Sequence, residues 1–368
     1  MIPLKHTLRF MLIGLVRPHE DKERMIANFE ELGSLVTTFG GQVYAVATQN
    51  NSRADYETYI GKGKALEVTE AIKKDAIDIV VINDYVKSSQ LHALKNIFSA
   101  ANPNIIVWDR VDLILQIFSV HATTAESKLQ IRLASMRHMG PRIYGMGRVL
   151  SQQGGGIGMR GIGETNTELM KRHWRNEMKT VREQIKKILQ SREQQMDRRK
   201  RNGLPTISIV GYTNAGKTSL FNILGAKHNL AEDTLFATLD SSVCSLYLPK
   251  IKKEVFVSDT IGFIQNLPPQ LIDSFKSTLM ETVHADLLLH VIDVSDWWIH
   301  DKIAAVEKIL HDLAIDKKNQ IYVFNKIDKG EINKKELATR YAFFNPQFIS
   351  TKTHLGIDTL IATIEQTI

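Results

Sequence analysis

Short apolar runs alternate with helical patterns over the first hundred residues. The runs predict strands at Leu8–Val16, Val43–Thr48, Ile77–Ile82 and Ile105–Trp108. Between them, apolar residues recur at helical spacing in Asp21–Phe39, Lys64–Lys74 and Ser88–Ala100. Strands that alternate with helices in this way favour a small parallel α/β domain.

Two long helical patterns follow, separated by a glycine-rich run. The first is continuous from Asp109 to Met139, with apolar residues at Ile114, Phe118, Ala125, Leu129, Leu133 and Met136. The second runs from Glu164 to Arg201, with apolar residues at Met170, Trp174, Met178, Val181, Ile185 and Ile188. Because glycine costs conformational entropy on ordering, the run from Gly140 to Gly163 predicts a mobile loop. We therefore expect an antiparallel helical hairpin with this loop at its tip.

A linker at Asn202–Pro205 ends the second helix. We predict three parts: an N-terminal α/β subdomain at residues 1–110, the hairpin at 111–203, and a second α/β domain at 204–368. A length of 368 residues is enough for two or three domains with ordinary cores.

Positive charge is concentrated in the hairpin. Residues 121–202 hold 18 Lys and Arg against 7 Asp and Glu, whereas the rest of the chain holds 29 against 33. This excess indicates either a polyanionic partner such as RNA or a solvated helical face, and charge alone does not separate the two.

The cysteine count and the length of the apolar runs exclude some classes of protein. The single cysteine, Cys244, excludes an internal disulfide framework and indicates a reducing, cytoplasmic location. No apolar run reaches the roughly 18 residues that a membrane span requires, so no span is expected. We also expect a monomer.

A phosphate-binding pattern, G-x-x-x-x-G-K-[ST], follows the β-rich run Thr206–Val210. Its residues are Gly211, Tyr212, Thr213, Asn214, Ala215, Gly216, Lys217 and Thr218. A helical pattern comes next, so strand, loop and helix stand in the order that phosphate binding requires. We expect Lys217 to contact the β- and γ-phosphates and Thr218 to bind Mg²⁺.

Two further motifs follow apolar strands. Asp259, Thr260, Ile261 and Gly262 come after Val255–Val257. A carboxylate there can hold Mg²⁺ through water, and the Gly262 amide can bond the γ-phosphate. Asn325, Lys326, Ile327 and Asp328 come after Ile321–Phe324. An acid at Asp328 can accept the N1 and 2-amino hydrogens of guanine, which adenine lacks, so GTP and GDP are the expected ligands.

The remaining positions complete the predicted site. Ser350, Thr351 and Lys352 follow Phe348-Ile349 and are expected to close over the base. Phe236, Ala237, Thr238, Leu239 and Asp240 lie between the first helix and the Asp259 strand. Thr238 is the chosen sensor of the γ-phosphate through Mg²⁺, with Thr234 as its alternative. Lys217, Thr238 and Gly262 are the predicted catalytic residues, on a doubly wound P-loop GTPase fold.

Hydrolysis is expected to be slow without a partner. Many GTPases place a glutamine just after Asp-x-x-Gly, but here that residue is Phe263, which cannot orient water. Asn214 resembles an asparagine that ligates potassium in a subset of GTPases, and K⁺ could then supply positive charge at the phosphates. A simple loop-forming role for Asn214 is the alternative.

The motifs together resemble the HflX family of ribosome-associated GTPases over nearly the whole chain. The matching segments are Tyr59–Lys64, Asp109-Arg110 with Leu113–Leu115, Lys128–Gln130, Gly154–Thr165, Gly211–Thr218, Phe236–Asp240 and Asp259–Phe263. The resemblance implies binding to the large (50S) ribosomal subunit and its rRNA through the hairpin, and splitting of stalled ribosomes under stress. Family members often carry a further C-terminal domain, which we expect to be absent here because the sequence ends at Ile368.

Two other functions fit the same residues. One is an RNA- or ribosome-binding adaptor in which GTP only sets conformation. The other is a cation-dependent GTPase of the tRNA-modification type that shares Asn214, although we expect no cysteine-bearing helical module after the GTPase domain.

Overall fold

The computed structural model of the chain describes residues 7–18, 21–153, 162–225, 235, 242–260, 262–264, 279–330 and 333–368. The chain divides into two compact units, one formed by residues 1–120 and 131–184, the other by 121–130 and 185–368. Each unit contains a largely parallel sheet covered by helices, which confirms the predicted α/β class.

The first unit is built on a four-stranded sheet in the order β2-β1-β3-β4, and every neighbouring pair is parallel. Its strands are β1 (Arg9–Val16), β2 (Gln42–Asn50), β3 (Ile79–Ile82) and β4 (Ile106–Asp109). The helices of this part of the chain are α1 (Lys22–Phe39), α2 (Lys62–Asp75), α3 (Ser88–Phe98) and α4 (Arg110–His121). Alternate residues of β1, such as Met11 and Ile13, enter a buried core that also contains Val68 of α2 and Leu94 of α3.

The two long helices are α5 (Ala125–Gln153) and α6 (Ile162–Arg201). In the first unit, the Trp174 indole nitrogen donates to the Met136 carbonyl at 3.1 Å. In the second, Arg192 lies 2.9 Å from Glu126. Because early residues of α5 meet late residues of α6, the helices form the predicted antiparallel hairpin.

The prediction of one continuous helix from Asp109 to Met139 was wrong. Helix α4 ends at His121 and α5 begins at Ala125. The Thr124 hydroxyl accepts a hydrogen bond from the Ser127 amide at 3.1 Å, the geometry of a helix N-cap. Apolar spacing continued across the break and hid this cap.

The predicted loop at Gly140–Gly163 is also shorter than expected, because α5 stays helical as far as Gln153. Single glycines cost a helix only about 1 kcal/mol each, and proline about 3 kcal/mol, so favourable contacts elsewhere can offset them. Arg142 supplies such contacts through two carboxylates of the first unit. Residues 154–161 lie outside the described part of the chain.

A buried charge network joins α5 to the end of β4. Asp109 and Asp112 each accept the other's backbone amide, at 2.8 and 3.0 Å. Arg142 donates to both carboxylates, and its bonds to Asp112 measure 2.6 and 2.7 Å. The Nε2 atom of His138 lies 3.2 Å from both, and the Tyr85 ring packs against its imidazole. Two negative charges thus face Arg142 and, when protonated, His138.

We predict that this network makes the first unit less stable as pH rises. Burial and, to a smaller extent, the charge of Arg142 lower the pKa of His138, but hydrogen bonds to Asp109 and Asp112 and the charge of Asp109 outweigh them, so the net pKa is raised. Because the pKa of His138 is higher in the folded chain than in the unfolded chain, its protonation stabilises the fold. The stabilisation is complete below about pH 6.5, the pKa of an unfolded histidine, and it is lost as the pH rises through the higher pKa of the folded chain. Thermal unfolding between pH 6 and pH 9 measures this loss.

The variant His138→Gln should remove the pH-dependent part and lower the free energy of unfolding by about 1–3 kcal/mol, because buried carboxylate partners are left unmatched. His173→Gln, an exposed histidine on α6, is the matched control and should behave like the parent chain. An unchanged pH profile in His138→Gln would contradict the assignment.

The second unit is built on a six-stranded sheet in the order β10-β9-β8-β5-β7-β6, in which only the β6–β7 pair is antiparallel. Its strands are β5 (Thr206–Gly211), β6 (Ser242–Leu248), β7 (Lys253–Asp259), β8 (Leu287–Asp293), β9 (Asn319–Asn325) and β10 (Gln347–Phe348). The described helices that follow α6 are α7 (Lys217–Gly225), α8 (Met280–His284), α9 (Ile299–Asp312), α10 (Lys334–Arg340) and α11 (Ile357–Thr367).

Apolar side chains cover both faces of this sheet. One core contains Ile207, Val257 and Val291 of the sheet with Leu220 of α7 and Leu360 of α11. A smaller core on the other face surrounds Tyr322 and Phe324. Runs that are buried on both faces are typical of parallel strands, and they hold the carboxyl ends of β5, β7, β8 and β9 at one edge.

Among the described helices, none is both long and apolar enough to cross a lipid bilayer.

Candidate nucleotide site

The glycine loop between β5 and α7 has the backbone that phosphate binding needs. Gly211 and Gly216 have φ angles of +147° and +93°. A Cβ atom on Gly211 would lie 2.2 Å from the Val291 carbonyl oxygen, and one on Gly216 would lie 2.2 Å from the Asn325 amide nitrogen. Only glycine fits at either position. The loop leads directly into the N-terminus of α7, where backbone amides and the helix dipole favour an anion.

Lys217 begins α7 and is 6% exposed. Its ammonium donates to the Tyr212 carbonyl at 2.7 Å, across the loop that it follows. Burial and the charge of Lys326 lower the pKa of Lys217, partly offset by Asp259, to about 8. The lysine is therefore charged at neutral pH and is held where a phosphate would replace a backbone carbonyl as its partner.

Thr218 and Asp259 meet beside Lys217. The Thr218 hydroxyl donates to the Asp259 carboxylate at 2.8 Å, and Asp259 is fully buried at the end of β7. Thr260 is fixed next to it, because its hydroxyl donates to the Ile209 carbonyl of β5 at 2.7 Å. A buried carboxylate and a hydroxyl at this distance can share one small cation.

Gly262 and Phe263 lie against the loop. A Cβ atom on Gly262 would lie 2.7 Å from the Thr213 methyl group and 2.8 Å from the Lys217 nitrogen, so this position also requires glycine. The Phe263 amide donates to the Gly211 carbonyl at 3.1 Å, and its own carbonyl accepts from the Thr213 amide at 2.8 Å. Its ring is 3% exposed, so its aromatic side chain is packed away from solvent.

The two ends of the predicted base pocket are joined by Asn325. Its side-chain amide donates to the Ala215 carbonyl at 2.9 Å and to the Thr351 hydroxyl at 3.2 Å, and it accepts from the Thr351 amide at 3.0 Å. Lys326 lies beside it with φ +66°, and its ammonium donates to the Asn214 carbonyl at 2.8 Å. The phosphate loop and the Ser350–Lys352 segment are thus tied to one buried side chain.

Asp328 lies at the open end of this group. The Ser350 hydroxyl donates to its carboxylate at 2.6 Å. This hydrogen bond is the main reason that the pKa of Asp328 is lowered, with a smaller contribution from the charge of Lys352. Asp328 is exposed, so its carboxylate is ionised and open to a ligand at neutral pH. The residue before it, Ile327, is held by a hydrogen bond from its backbone amide to the Ile349 carbonyl.

Two residues of β8 were missed by the sequence analysis. Asp293, the last residue of β8, lies 2.7 Å from the Lys326 ammonium and orients it. His290 is buried in the same strand, and burial followed by the charge of Lys217 lowers its pKa to about 3, so its ring is neutral. A polar residue directly after Val291-Ile292 was a signal for Asp293, and the signal for His290 was a single polar residue between Leu287–Leu289 and Val291-Ile292.

The structure therefore brings Gly211–Thr218, Asp259, Thr260, Gly262, Asn325–Asp328 and Ser350–Lys352 to one edge of the sheet. The predicted residues Phe236, Ala237, Thr238, Leu239, Asp240 and Ile261, and the alternative Thr234, lie outside the described residues.

Three protein-family profiles match the chain. A GTP-binding GTPase N-terminal region matches residues 27–119, a GTP-binding GTPase middle region matches 121–199, and a 50S ribosome-binding GTPase domain matches 206–326. The nucleotide-site motifs up to Lys326 fall inside the third match.

Full-length relatives decide the family. The GTPase HflX of Caldanaerobacter subterraneus subsp. tengcongensis is 40% identical over 362 residues, which cover 97% of this chain and 80% of the relative. The GTPase HflX of Escherichia coli K12 is 36% identical over 317 residues, covering 86% and 74%. The chain belongs to the HflX family of GTPases. The resemblance predicted from the sequence motifs, and with it GTPase activity, is confirmed.

Solved structures agree with this fold. The structure described as SsGBP in complex with GDP aligns with a TM-score of 0.55 at 23% identity and covers 98% of both chains. A GTP-binding protein from Sulfolobus solfataricus, also in complex with GDP, aligns with a TM-score of 0.50 at 23% identity and covers 98% of both. At this identity the similarity concerns the fold alone.

Magnesium accompanies the nucleotide in P-loop GTPases, and the residues of this HflX chain fit that ion. Mg²⁺ prefers hard oxygen ligands, usually one or two protein groups together with phosphate oxygens. The Thr218 hydroxyl and the Asp259 carboxylate are such groups, 2.8 Å apart and next to the phosphate loop.

Proposed function

We propose that this HflX-family chain is a GTP-driven factor that binds the large ribosomal subunit and separates stalled ribosomes under stress. The description of its GTPase domain as 50S ribosome-binding supports the partner. The observation that carries the proposal is a basic stripe on α6. Arg175, Lys179 and Arg182 are exposed and recur every three or four residues, which aligns them on one helix face.

This basic stripe is better explained as an rRNA-binding surface than as a helix face that contacts only solvent. Phosphate contacts dominate the affinity of proteins for nucleic acids, and they need several positive charges on one surface. Among the described residues, only Lys179 of the stripe has a carboxylate near its charged group, that of Glu183 at 4.0 Å. An exposed pair at that distance contributes little, so the stripe keeps its positive field.

The residues of the site would each act on a different part of the nucleotide. Lys217 would neutralise the β- and γ-phosphates, and the Gly262 amide would bond the γ-phosphate. Thr218 and Asp259 would hold Mg²⁺, which supplies further positive charge at these phosphates. Asp328 would select guanine, with Asn325 holding the surrounding loops. Thr238 remains the proposed sensor of the γ-phosphate.

GTP hydrolysis by the chain alone should be slow, because Phe263 stands where many GTPases have a glutamine that orients water. Its ring is buried and carries no group that can orient water, so a partner would have to complete the catalytic arrangement. We therefore propose that large subunits stimulate GTP hydrolysis.

Potassium is a further proposed cofactor, held by Asn214. This residue is exposed on the phosphate loop, has φ +61°, and its carbonyl accepts from Lys326. If K⁺ supplies charge there, turnover in KCl should exceed that in NaCl by about tenfold or more, since one extra electrostatic contact at the transition state is typically worth that much or more. Asn214→Asp should change the ratio, whereas Asn345→Asp, another asparagine at positive φ, should not. Equal rates in the two salts would favour the loop-forming role.

The ribosome proposal is tested by co-sedimentation with purified large subunits in the presence of a GTP analogue or GDP. We expect tighter binding with the analogue. Replacing Arg175, Lys179 and Arg182 with Gln should weaken binding by about tenfold or more and reduce its salt dependence. The matched control replaces Lys317, Lys334 and Lys335, three exposed lysines of the second unit, with Gln.

Turnover with and without large subunits separates the proposal from an adaptor role. Stimulation would support a GTP-driven factor. Tight binding with unchanged turnover would instead favour an adaptor in which GTP only sets conformation.

A further inference from the structure

One side chain near the end of α6 contacts two elements of the GTPase sheet. The Arg199 guanidinium donates to the Glu281 carboxylate of α8 at 3.3 Å. Its central carbon also lies 4.9 Å from the centre of the Phe256 ring on β7. The side chains of Arg199 and Glu281 are 23% and 7% exposed, so the pair is largely removed from water. A planar guanidinium is suited to this combination of an ion pair and an aromatic face.

Both contacted elements lead directly to the nucleotide site. Phe256 precedes Asp259 by three residues on the same strand, and Asp259 accepts the Thr218 hydroxyl. Next to Glu281, the Thr282 hydroxyl lies 2.9 Å from the Ser208 hydroxyl, three residues before Gly211 on β5. A shift of either element at the site would therefore move a group that Arg199 contacts.

The backbone at the end of α6 is fixed to the same strand. The Leu204 amide donates to the Arg199 carbonyl at 3.2 Å, where Gly203 reverses the chain with φ +65°. One residue later, the Pro205 carbonyl accepts from the Phe256 amide at 2.9 Å. The end of the helix is thus joined to β7 through both backbone and side chain.

The ion pair is sensitive to small changes in position. Removing one partner of a buried pair leaves an unpaired charge and is strongly unfavourable, so Arg199 and Glu281 should move together. The neighbouring Arg198 and Arg201 are exposed. Arg201 donates only to the Asp197 carbonyl of its own helix, at 3.3 Å, and among the described residues neither arginine has an ion pair like that of Arg199. Within this turn of α6, Arg199 is thus set apart by its contacts.

We propose that Arg199 is a positioning residue that couples the nucleotide state of the site to helix α6, through Glu281 on α8 and Phe256 on β7. The inference rests on the proposed GTP cycle, but it concerns the isolated chain and needs no ribosome. It assigns to the hairpin a conformational response to GTP that begins at the end of α6 nearest the site.

Hydrogen exchange of the α6 amides tests this coupling. In the wild-type chain, exchange at residues 192–201 should differ between GDP and a GTP analogue by about fivefold or more, the low end of typical coupling. Arg199→Gln should remove most of the difference. Arg199→Lys, which keeps the charge but not the planar geometry, should restore it only in part. Arg198→Gln removes the same charge from an exposed neighbour and should leave the difference intact.

A double variant shows whether an effect of Arg199→Gln comes from lost coupling or from lost folding. Arg199→Met with Glu281→Leu leaves no buried charge alone and should fold, yet it should lack the nucleotide-dependent difference. Persistence of the difference in this variant, or its absence from the wild type, would overturn the inference. Failure of the wild type to bind large subunits would contradict only the ribosome proposal, because hydrogen exchange is measured without them.

Discussion

Replacing Asp328 with asparagine is expected to weaken GTP binding by on the order of 1,000-fold, because a site built to pair polar groups rejects a mismatch strongly. The carboxylate accepts hydrogens only, which suits the N1 and 2-amino groups of guanine. An asparagine amide would direct an N–H at the 2-amino group. The Ser350 hydroxyl, 2.6 Å from the carboxylate, keeps it ionised and fixes its direction.

The same substitution should improve binding of xanthosine triphosphate, which has an oxygen in place of the 2-amino group. The asparagine can accept from N1 and donate to that oxygen, so the pairing is restored. Titration with fluorescent GTP, XTP and ATP measures the three affinities. Asp312→Asn, an exposed acid at the end of α9, is the matched control and should keep the wild-type order. Retained preference for GTP in Asp328→Asn would remove this residue from the base pocket.

The phosphate loop could be predicted from sequence because its determinants are local. Gly211, Gly216, Lys217 and the β5–α7 order lie within a few residues of one another, and the structure places them as the pattern requires. The strands of both sheets were similarly visible, since buried parallel strands are continuous apolar runs. The helical spacing of apolar residues likewise indicated the two long helices of the hairpin.

Other features depend on residues far apart in the chain. Asp109, the last residue of β4, was singled out by resemblance, yet its partners His138 and Arg142 lie on helix α5, 29 and 33 positions away. The bond of Asn325 to Ala215 spans 110 positions, and that of Arg199 to Glu281 spans 82. No periodicity records such pairs, because each depends on how whole elements pack.

The break between α4 and α5 illustrates a different limit. Apolar spacing across Ala122–Thr124 matches one helix as well as two, and only the Thr124 hydroxyl marks the start of the second. The extension of α5 to Gln153 shows the opposite case. There the glycines and the proline disfavour a helix locally, but tertiary contacts of Arg142 offset this low helix propensity. Local rules thus gave the elements but not every boundary.

Replacing Lys217 with alanine should nearly abolish GTP hydrolysis, with turnover lowered by about 100–1,000-fold, the usual effect of removing one preorganised charge from a transition state. Lys217 is the first residue of α7. Its ammonium is buried beside Asp259 and the Gly262 backbone. Nucleotide affinity should fall as well, because the phosphates would lose a charge-assisted partner. Single-turnover hydrolysis and titration with a GTP analogue measure the two effects separately.

A pH profile distinguishes this charge from a merely structural lysine. Burial lowers the pKa of Lys217 to about 8 before nucleotide binds, so the chain must take up a proton to bind phosphate above that pH. Wild-type affinity for the analogue should therefore decline from about pH 8 upward, approaching tenfold per unit. Lys217→Ala should be weak at every pH and show no such decline. A wild-type profile that stays flat to pH 9.5 would contradict the assignment, because it would mean that the phosphates bind without depending on this ammonium.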